Sequence, residues 1–172
     1  MIWKRNRSQG ASRGMFANRV SSPLGWTVLL MVLAGFLQAA SLAWPFAMPT
    51  ALGALGLTQS EPVWWMQWLS MTVLVLAVTG ADTPRHAAGL GWWFATAWLT
   101  GSFGWLFTSM YAYGGLAAPF AALAVLALAG ALALYSAAAM WIFSALAHAN
   151  KWVTAINFAA TWTLAELARG LL

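Results

Sequence analysis

Residues 117–147 contain no charged side chain in 31 positions, and only Tyr135, Ser136 and Ser144 bring polar groups into an otherwise apolar run of Ala, Leu, Val, Phe, Met, Trp and Ile with one Pro and one Gly. As an α-helix such a run is about 46 Å long, more than the roughly 30 Å hydrocarbon core of a bilayer. It must therefore tilt or extend beyond one face. Pro119 suits the first turn, where its missing N–H costs nothing. Across the chain only 6% of residues are charged and 62% are hydrophobic. A soluble domain carries about a quarter of its residues as charges, so the outer surface here is expected to face lipid. Long continuous apolar runs, rather than short alternating segments, favour helices over a barrel. The expected fold is an all-α integral membrane protein, a bundle of about five transmembrane helices.

Polar punctuation divides the chain. Residues 1–23, with Lys4, Arg5, Arg7, Arg13 and Arg19, read as a basic cytoplasmic tail, and 24–172 as the transmembrane helical domain. Spans are expected at about 24–44, 63–79, 87–109, 117–147 and 152–172. Residues 45–62, with Pro45 and Pro49 close together, read as an interfacial loop or short helix. The polar turns are 80–86, holding Asp82, Pro84, Arg85 and His86, and 148–151, holding His148, Asn150 and Lys151. A cleaved signal peptide ending near Ala39-Ala40-Ser41 is an alternative reading of the first run.

Placing the basic tail inside puts Arg85 and Lys151 inside as well, so seven of the eight Lys and Arg side chains satisfy the positive-inside rule. The N-terminus is then cytoplasmic and the C-terminus periplasmic. The basic tail is better explained as this topology signal than as a nucleic-acid contact. The 13 Trp residues suit helix ends at two membrane–water interfaces. The absence of Cys excludes disulfides, thiolate metal sites and thiol nucleophiles within these residues.

Two places concentrate functional residues. The first is the hinge Trp105-Leu-Phe-Thr-Ser109-Met-Tyr-Ala-Tyr113-Gly114-Gly115-Leu-Ala-Ala-Pro119, where one apolar run turns into the next. Trp98, Ser102, Trp105 and Ser109 form a stripe on the helix leading to it, readable as packing glue. Gly89, Gly91, Gly101 and Gly104 of that helix are read as close-contact positions. The second place is the last helix, where Trp162, Glu166 and Arg169 at i, i+4 and i+7 share one face. Ionisable residues within a span pair with each other or mark a site. The pair is either a structural ion pair or a support for a lipid headgroup or an adjacent domain. The two His residues lie in separate turns, and no metal-ligand spacing or nucleophile–base set can be drawn. No cofactor is expected.

The hinge and the last helix together resemble the N-terminal membrane domain of apolipoprotein N-acyltransferase. The match is carried by Trp105, Ser109, Tyr113-Gly114-Gly115-Leu116, Leu134-Tyr135, and Trp162-Thr-Leu-Ala-Glu166-Leu-Ala-Arg169-Gly170. Gln38-Ala-Ala-Ser-Leu-Ala-Trp44-Pro45-Phe46 and Trp64-Trp65-x-Gln67 extend it toward the start. The resemblance implies a bacterial inner-membrane, multi-pass enzyme of lipoprotein maturation. Such an enzyme moves an acyl chain from a membrane phospholipid to the N-terminal diacylglyceryl-cysteine of an apolipoprotein. The family works through a thioester on a Cys, assisted by Glu and Lys, in a nitrilase-like periplasmic domain after the membrane helices.

These 172 residues include neither that domain nor any Cys, and the Phe-Pro-Trp motif that follows Arg-Gly in the family is absent. Gly104 and Phe107 stand where many members have Asn and Tyr. The resulting expectation is a truncated membrane domain, inactive alone and with no catalytic residue of its own. Trp105, Ser109, Tyr113, Glu166 and Arg169 are its lipid-proximal candidates, and phospholipid, apolipoprotein and a periplasmic catalytic domain its partners. Alternatives are a stand-alone non-catalytic membrane protein or partner subunit, and a small transporter.

Overall fold

The computed structural model describes residues 24–46, 56, 59–146 and 150–171. The basic tail, most of 45–62, and His148 therefore lie outside the described residues. Within them the chain is all helix: α1 Leu24–Leu42, α2 Trp64–Thr79, α3 Pro84–Ser102, a short α4 Gly104–Thr108, a π-helical turn Ser109–Tyr113, α5 Ala118–Ala145 and α6 Lys151–Gly170.

Helix ends follow local chemistry. The Thr83 hydroxyl accepts the His86 amide at 3.2 Å, and Pro84 occupies the first turn. This cap starts α3 three residues before the expected Ala87, so Arg85 and His86 lie in its first turn rather than in a loop. Asn150 caps α6 by accepting the Trp152 amide at 2.9 Å. The expected helix over 87–109 ends instead at Ser102. Phe103, at φ −90° and ψ 14°, interrupts it before α4 and the π turn carry the chain on.

Interhelical contacts set the directions. The Ser70 hydroxyl donates to the Ala34 carbonyl at 2.7 Å, and the Val63 amide to the Ser41 carbonyl at 2.8 Å, which makes α1 and α2 antiparallel. Gly35 lies against Phe94 and Trp98 while Gly101 lies against Ala39, so α1 and α3 run parallel. The Trp92 indole donates to the Gly130 carbonyl at 2.9 Å, tying α3 to the antiparallel α5. Asn157 reaches the carbonyls of Phe143 and Leu146 and ties α6 to the end of α5. Hence α3 is central, flanked by α1 and α5, and α6 has α5 as its main helix partner while its aromatic side chains reach α3. The end of α3 and the start of α5 share one end of the bundle, and α6 runs toward it but stops partway along α5, with Ala168 beside Tyr135.

Close approach requires glycine at particular points. A Cβ on Gly35 would lie 2.3 Å from the Phe94 carbonyl oxygen, and one on Gly91 would lie 2.5 Å from Met140. Of the four α3-region glycines expected to serve packing, Gly91 and Gly101 do so, whereas Gly89 and Gly104 face open space. The core joins Met31, Leu74, Leu90, Phe94, Met140 and Phe143. On α5 the buried positions Ala121, Val125, Ala129 and Ala133 recur every four residues, a small-residue seam that lets α3 approach.

Among the described residues, two helices are long and apolar enough to cross a membrane, Gly25–Leu42 and Ala118–Ala145. Only 28% of each apolar window is buried inside the bundle, which separates them from core helices of a soluble domain. Outward-facing Leu33, Leu76, Leu123, Leu134 and Leu164 add to a surface that is apolar on several sides. At about 1.5 Å per residue, the 28 residues of α5 span about 42 Å, and the 16 of α2 about 24 Å.

Candidate functional site

The last helix builds the site by periodicity and aromatic size. Spacing of four and three residues sets Trp162, Glu166 and Arg169 along one side of α6, and α6's seat on α5 turns that side toward α3. Trp162 stacks on Trp98 with ring centres 6.0 Å apart and on Phe158 at 6.1 Å, and meets the edge of Phe94 at 6.2 Å. Phe158 meets Phe143 at 5.4 Å. Each such pair contributes about 0.5–1.5 kcal/mol beyond its burial, so the rings form a braced column across three helices.

Arg169 tops that column. Its guanidinium carbon lies 5.1 Å from the centre of the Trp98 ring, within cation–π range. Its Nη2 donates to Glu166 Oε2 in an ion pair within the helix. The Arg169 side chain is 20% exposed and that of Glu166 29%. Arg169 Nη1 and Trp98 Nε1 are both shielded and make no hydrogen bond. A shielded donor without an acceptor costs about 1–3 kcal/mol, so two of them in one cluster mark a place where an acceptor is wanted. Thr96 and Thr100 of α3 also have shielded, unpartnered hydroxyls. So does the side-chain oxygen of Gln38, a residue 1% exposed on α1.

The hinge is built differently. The Gly114 amide donates to the Ser109 carbonyl at 3.1 Å, the five-residue step of a π turn, and Leu116 donates back to Met110 at 3.1 Å. Gly115 sits at φ +65°, a left-handed conformation that glycine adopts without a steric penalty. Phe107 and Tyr111 stack at 5.9 Å. Trp105 is 67% exposed and Tyr113 88%, and Ser109 is exposed. π turns occur frequently at functional sites.

The hinge lies where α5 starts, whereas the end of α6 lies partway along α5, with Ala168 beside Tyr135. They are not one cluster: among the described residues, none of Trp105, Ser109 and Tyr113 shares a hydrogen bond, ion pair or ring contact with Glu166 or Arg169. The expected stripe of Trp98, Ser102, Trp105 and Ser109 is broken at Phe103, and its members face different surroundings. Ser102 returns its hydroxyl to the Trp98 carbonyl at 3.0 Å, while the Trp98 ring belongs with α6. Sequence reasoning missed that partnership and the burial of Gln38; a Gln inside an apolar run was the available signal for the second. His86 sits at the opposite end, and the described residues hold no group of three His, Cys, Asp or Glu suited to a metal. A groove of about 220 Å³ runs between α5 and α6, lined by Tyr135, Ala138, Ile142, Thr161, Leu164 and Ala165.

Comparison with known proteins adds a family. The sequence model described as the apolipoprotein N-acyltransferase N-terminal domain matches residues 51–172. An apolipoprotein N-acyltransferase of Verminephrobacter eiseniae is 47% identical over 158 residues, which cover 90% of this chain and 27% of that protein. One of Ralstonia nicotianae is 36% identical over 110 residues, 62% of this chain and 21% of that protein. One of Pseudomonas putida is 34% identical over 124 residues, 70% of this chain and 24% of that protein. The chain thus spans about a quarter of the length of these curated relatives.

Proposed function

The chain belongs to the apolipoprotein N-acyltransferase N-terminal domain family, and from that premise we propose that it is the membrane domain of a bacterial lipoprotein N-acyltransferase. In this reading residues 24–172 cross the inner membrane about five times, with the tail 1–23 cytoplasmic and the hinge at the periplasmic surface. The domain holds phospholipid in the outer leaflet and seats a nitrilase-like catalytic domain that acylates apolipoprotein. Trp105, Ser109, Tyr113, Glu166 and Arg169 border the lipid. A covalent acyl intermediate needs an activated nucleophile, and these 172 residues contain no Cys, so the chain by itself transfers no acyl group.

The observation that carries this reading is the family match over residues 51–172. It is supported by the apolar outer surface and by two apolar helices long enough to cross a membrane among the described residues. The test is a chimera in which residues 1–172 replace the matching part of the Verminephrobacter enzyme, expressed in cells depleted of their own N-acyltransferase. Growth and mass-spectrometric detection of triacylated lipoprotein are expected from the chimera and not from the 172-residue chain alone. An expressed, membrane-inserted chimera without N-acylation would contradict the reading.

A further inference from the structure

We infer that Arg169 and Trp98 form a binding site for the phosphodiester group of a phospholipid, with Glu166 holding the guanidinium in place. The inference rests on the membrane-domain reading above. Glu166 engages only Nη2 of Arg169, and Nη1 is left shielded and without an acceptor. The guanidinium carbon stands 5.1 Å from the Trp98 ring centre, and the indole Nε1 of that ring is the second donor without an acceptor. The two donors belong to groups in cation–π contact, so one phosphate, whose oxygens meet charged donors at about 2.7–2.9 Å, is the acceptor proposed for both. The planar fork of arginine suits this role, since one nitrogen can pair with a carboxylate while the other faces a second anion.

The rigidity of the site comes from beneath it. Trp98 stacks on Trp162, which in turn stacks on Phe158 and abuts Phe94. The indole N–H therefore cannot swing away to find another partner without breaking the column.

Two features favour a lipid diester over free phosphate. A phosphodiester carries one negative charge, whereas a phosphomonoester carries about 1.5 to 2 at neutral pH. Glu166 already compensates part of Arg169, so the singly charged group is the better electrostatic match. The opposite, outward face of α6 is also apolar, with Leu164 64%, Leu167 61% and Leu171 88% exposed, so the helix carrying Arg169 is bordered by lipid. A ligand delivered to Arg169 from that surrounding lipid gains by carrying acyl chains.

The full chain, purified in a neutral maltoside detergent with 15N-labelled tryptophan, tests this through the Trp98 indole resonance, assigned by Trp98→Phe. Dioctanoyl phosphatidylglycerol is expected to move that signal saturably. Dioctanoylglycerol at equal mole fraction should leave it in place, and inorganic phosphate should require at least a tenfold higher concentration. Arg169→Gln should raise the half-saturating lipid concentration at least tenfold, with Arg169→Lys recovering part of the loss and the other indole signals unmoved. A signal that responds equally to dioctanoylglycerol, or to inorganic phosphate at the lipid's concentration, would overturn the proposal. So would an Arg169→Gln response equal to the parent's, or a Trp98 signal that no lipid moves. The readout is binding without acyl transfer, so a silent Trp98 beside an active chimera defeats this site alone. A responsive Trp98 beside an inactive chimera defeats only the enzymatic reading.

Discussion

Arg169 and Trp98 face each other across two helices, the guanidinium carbon 5.1 Å from the indole centre. Trp98 belongs to the central helix and Arg169 to the last one. Trp98→Ala removes the shelf beneath Arg169 and the stack on Trp162, and leaves a cavity at the junction of α3 and α6. A loss of about 3 kcal/mol is expected, against less than about 1.5 kcal/mol for Trp98→Phe, which keeps a ring in place. Thermal unfolding in detergent, followed by tryptophan fluorescence, checks the order of the two variants.

Gly35 and Gly89 give a paired contrast. A methyl group on Gly35 meets the Phe94 carbonyl oxygen at 2.3 Å, and backbone cannot step aside as a side chain can. Gly35→Ala should separate α1 from α3 and cost about 1–3 kcal/mol. Gly89→Ala meets nothing within 4 Å and removes a flexible residue from a helix interior, so a gain of about 0.5–1 kcal/mol is expected. Equal melting temperatures for the two variants would contradict this arrangement of α1 on α3.

The hydrogen bond from Trp92 to the Gly130 carbonyl, 2.9 Å long, joins the two most extensively packed helices. Interhelical hydrogen bonds of this kind are worth about 0.6 kcal/mol on average in a membrane. Trp92→Phe should therefore lower stability only modestly. A loss several times larger would show that Trp92 contributes mainly through its packing between α3 and α5.

The proposed topology makes opposite demands on two turns. Alkaline phosphatase fused after Gly115 should be active, because that hinge is assigned to the periplasm. Fused after Asn150 it should be inactive, and a green fluorescent protein reporter should be bright there. The same reporter active at both positions would remove the assignment of α5 as a single crossing.

Four helices were legible to within two or three residues because their signals are local. Apolar runs bounded by Pro45, by Gly80, or by the polar stretch around Asn150 define α1, α2, α5 and α6 wherever they pack. The start of α3 was legible in principle from Thr83 and Pro84, a cap and a first-turn proline, but a turn rich in polar residues concealed it. Its end at Ser102 was not, because Phe103 is no helix breaker by residue type. The interruption arises from how the chain leaves α3 toward α5.

The candidate site divides along the same line. Spacing alone put Trp162, Glu166 and Arg169 on one side of a helix, and placed the Tyr113-Gly114-Gly115 turn between two apolar runs. Helical periodicity and the glycine turn depend on neighbours within a few residues, so the chain encodes them wherever it folds. Which glycines meet another backbone depends on the rotation of each helix about its own axis, and so does the pairing of Trp98 with Arg169 rather than with Trp105. Packing of side chains across α1, α3, α5 and α6 sets those rotations together. Only the assembled bundle therefore decides that Gly35 is indispensable where Gly89 is not, and that Trp98 supports a cation carried by the last helix.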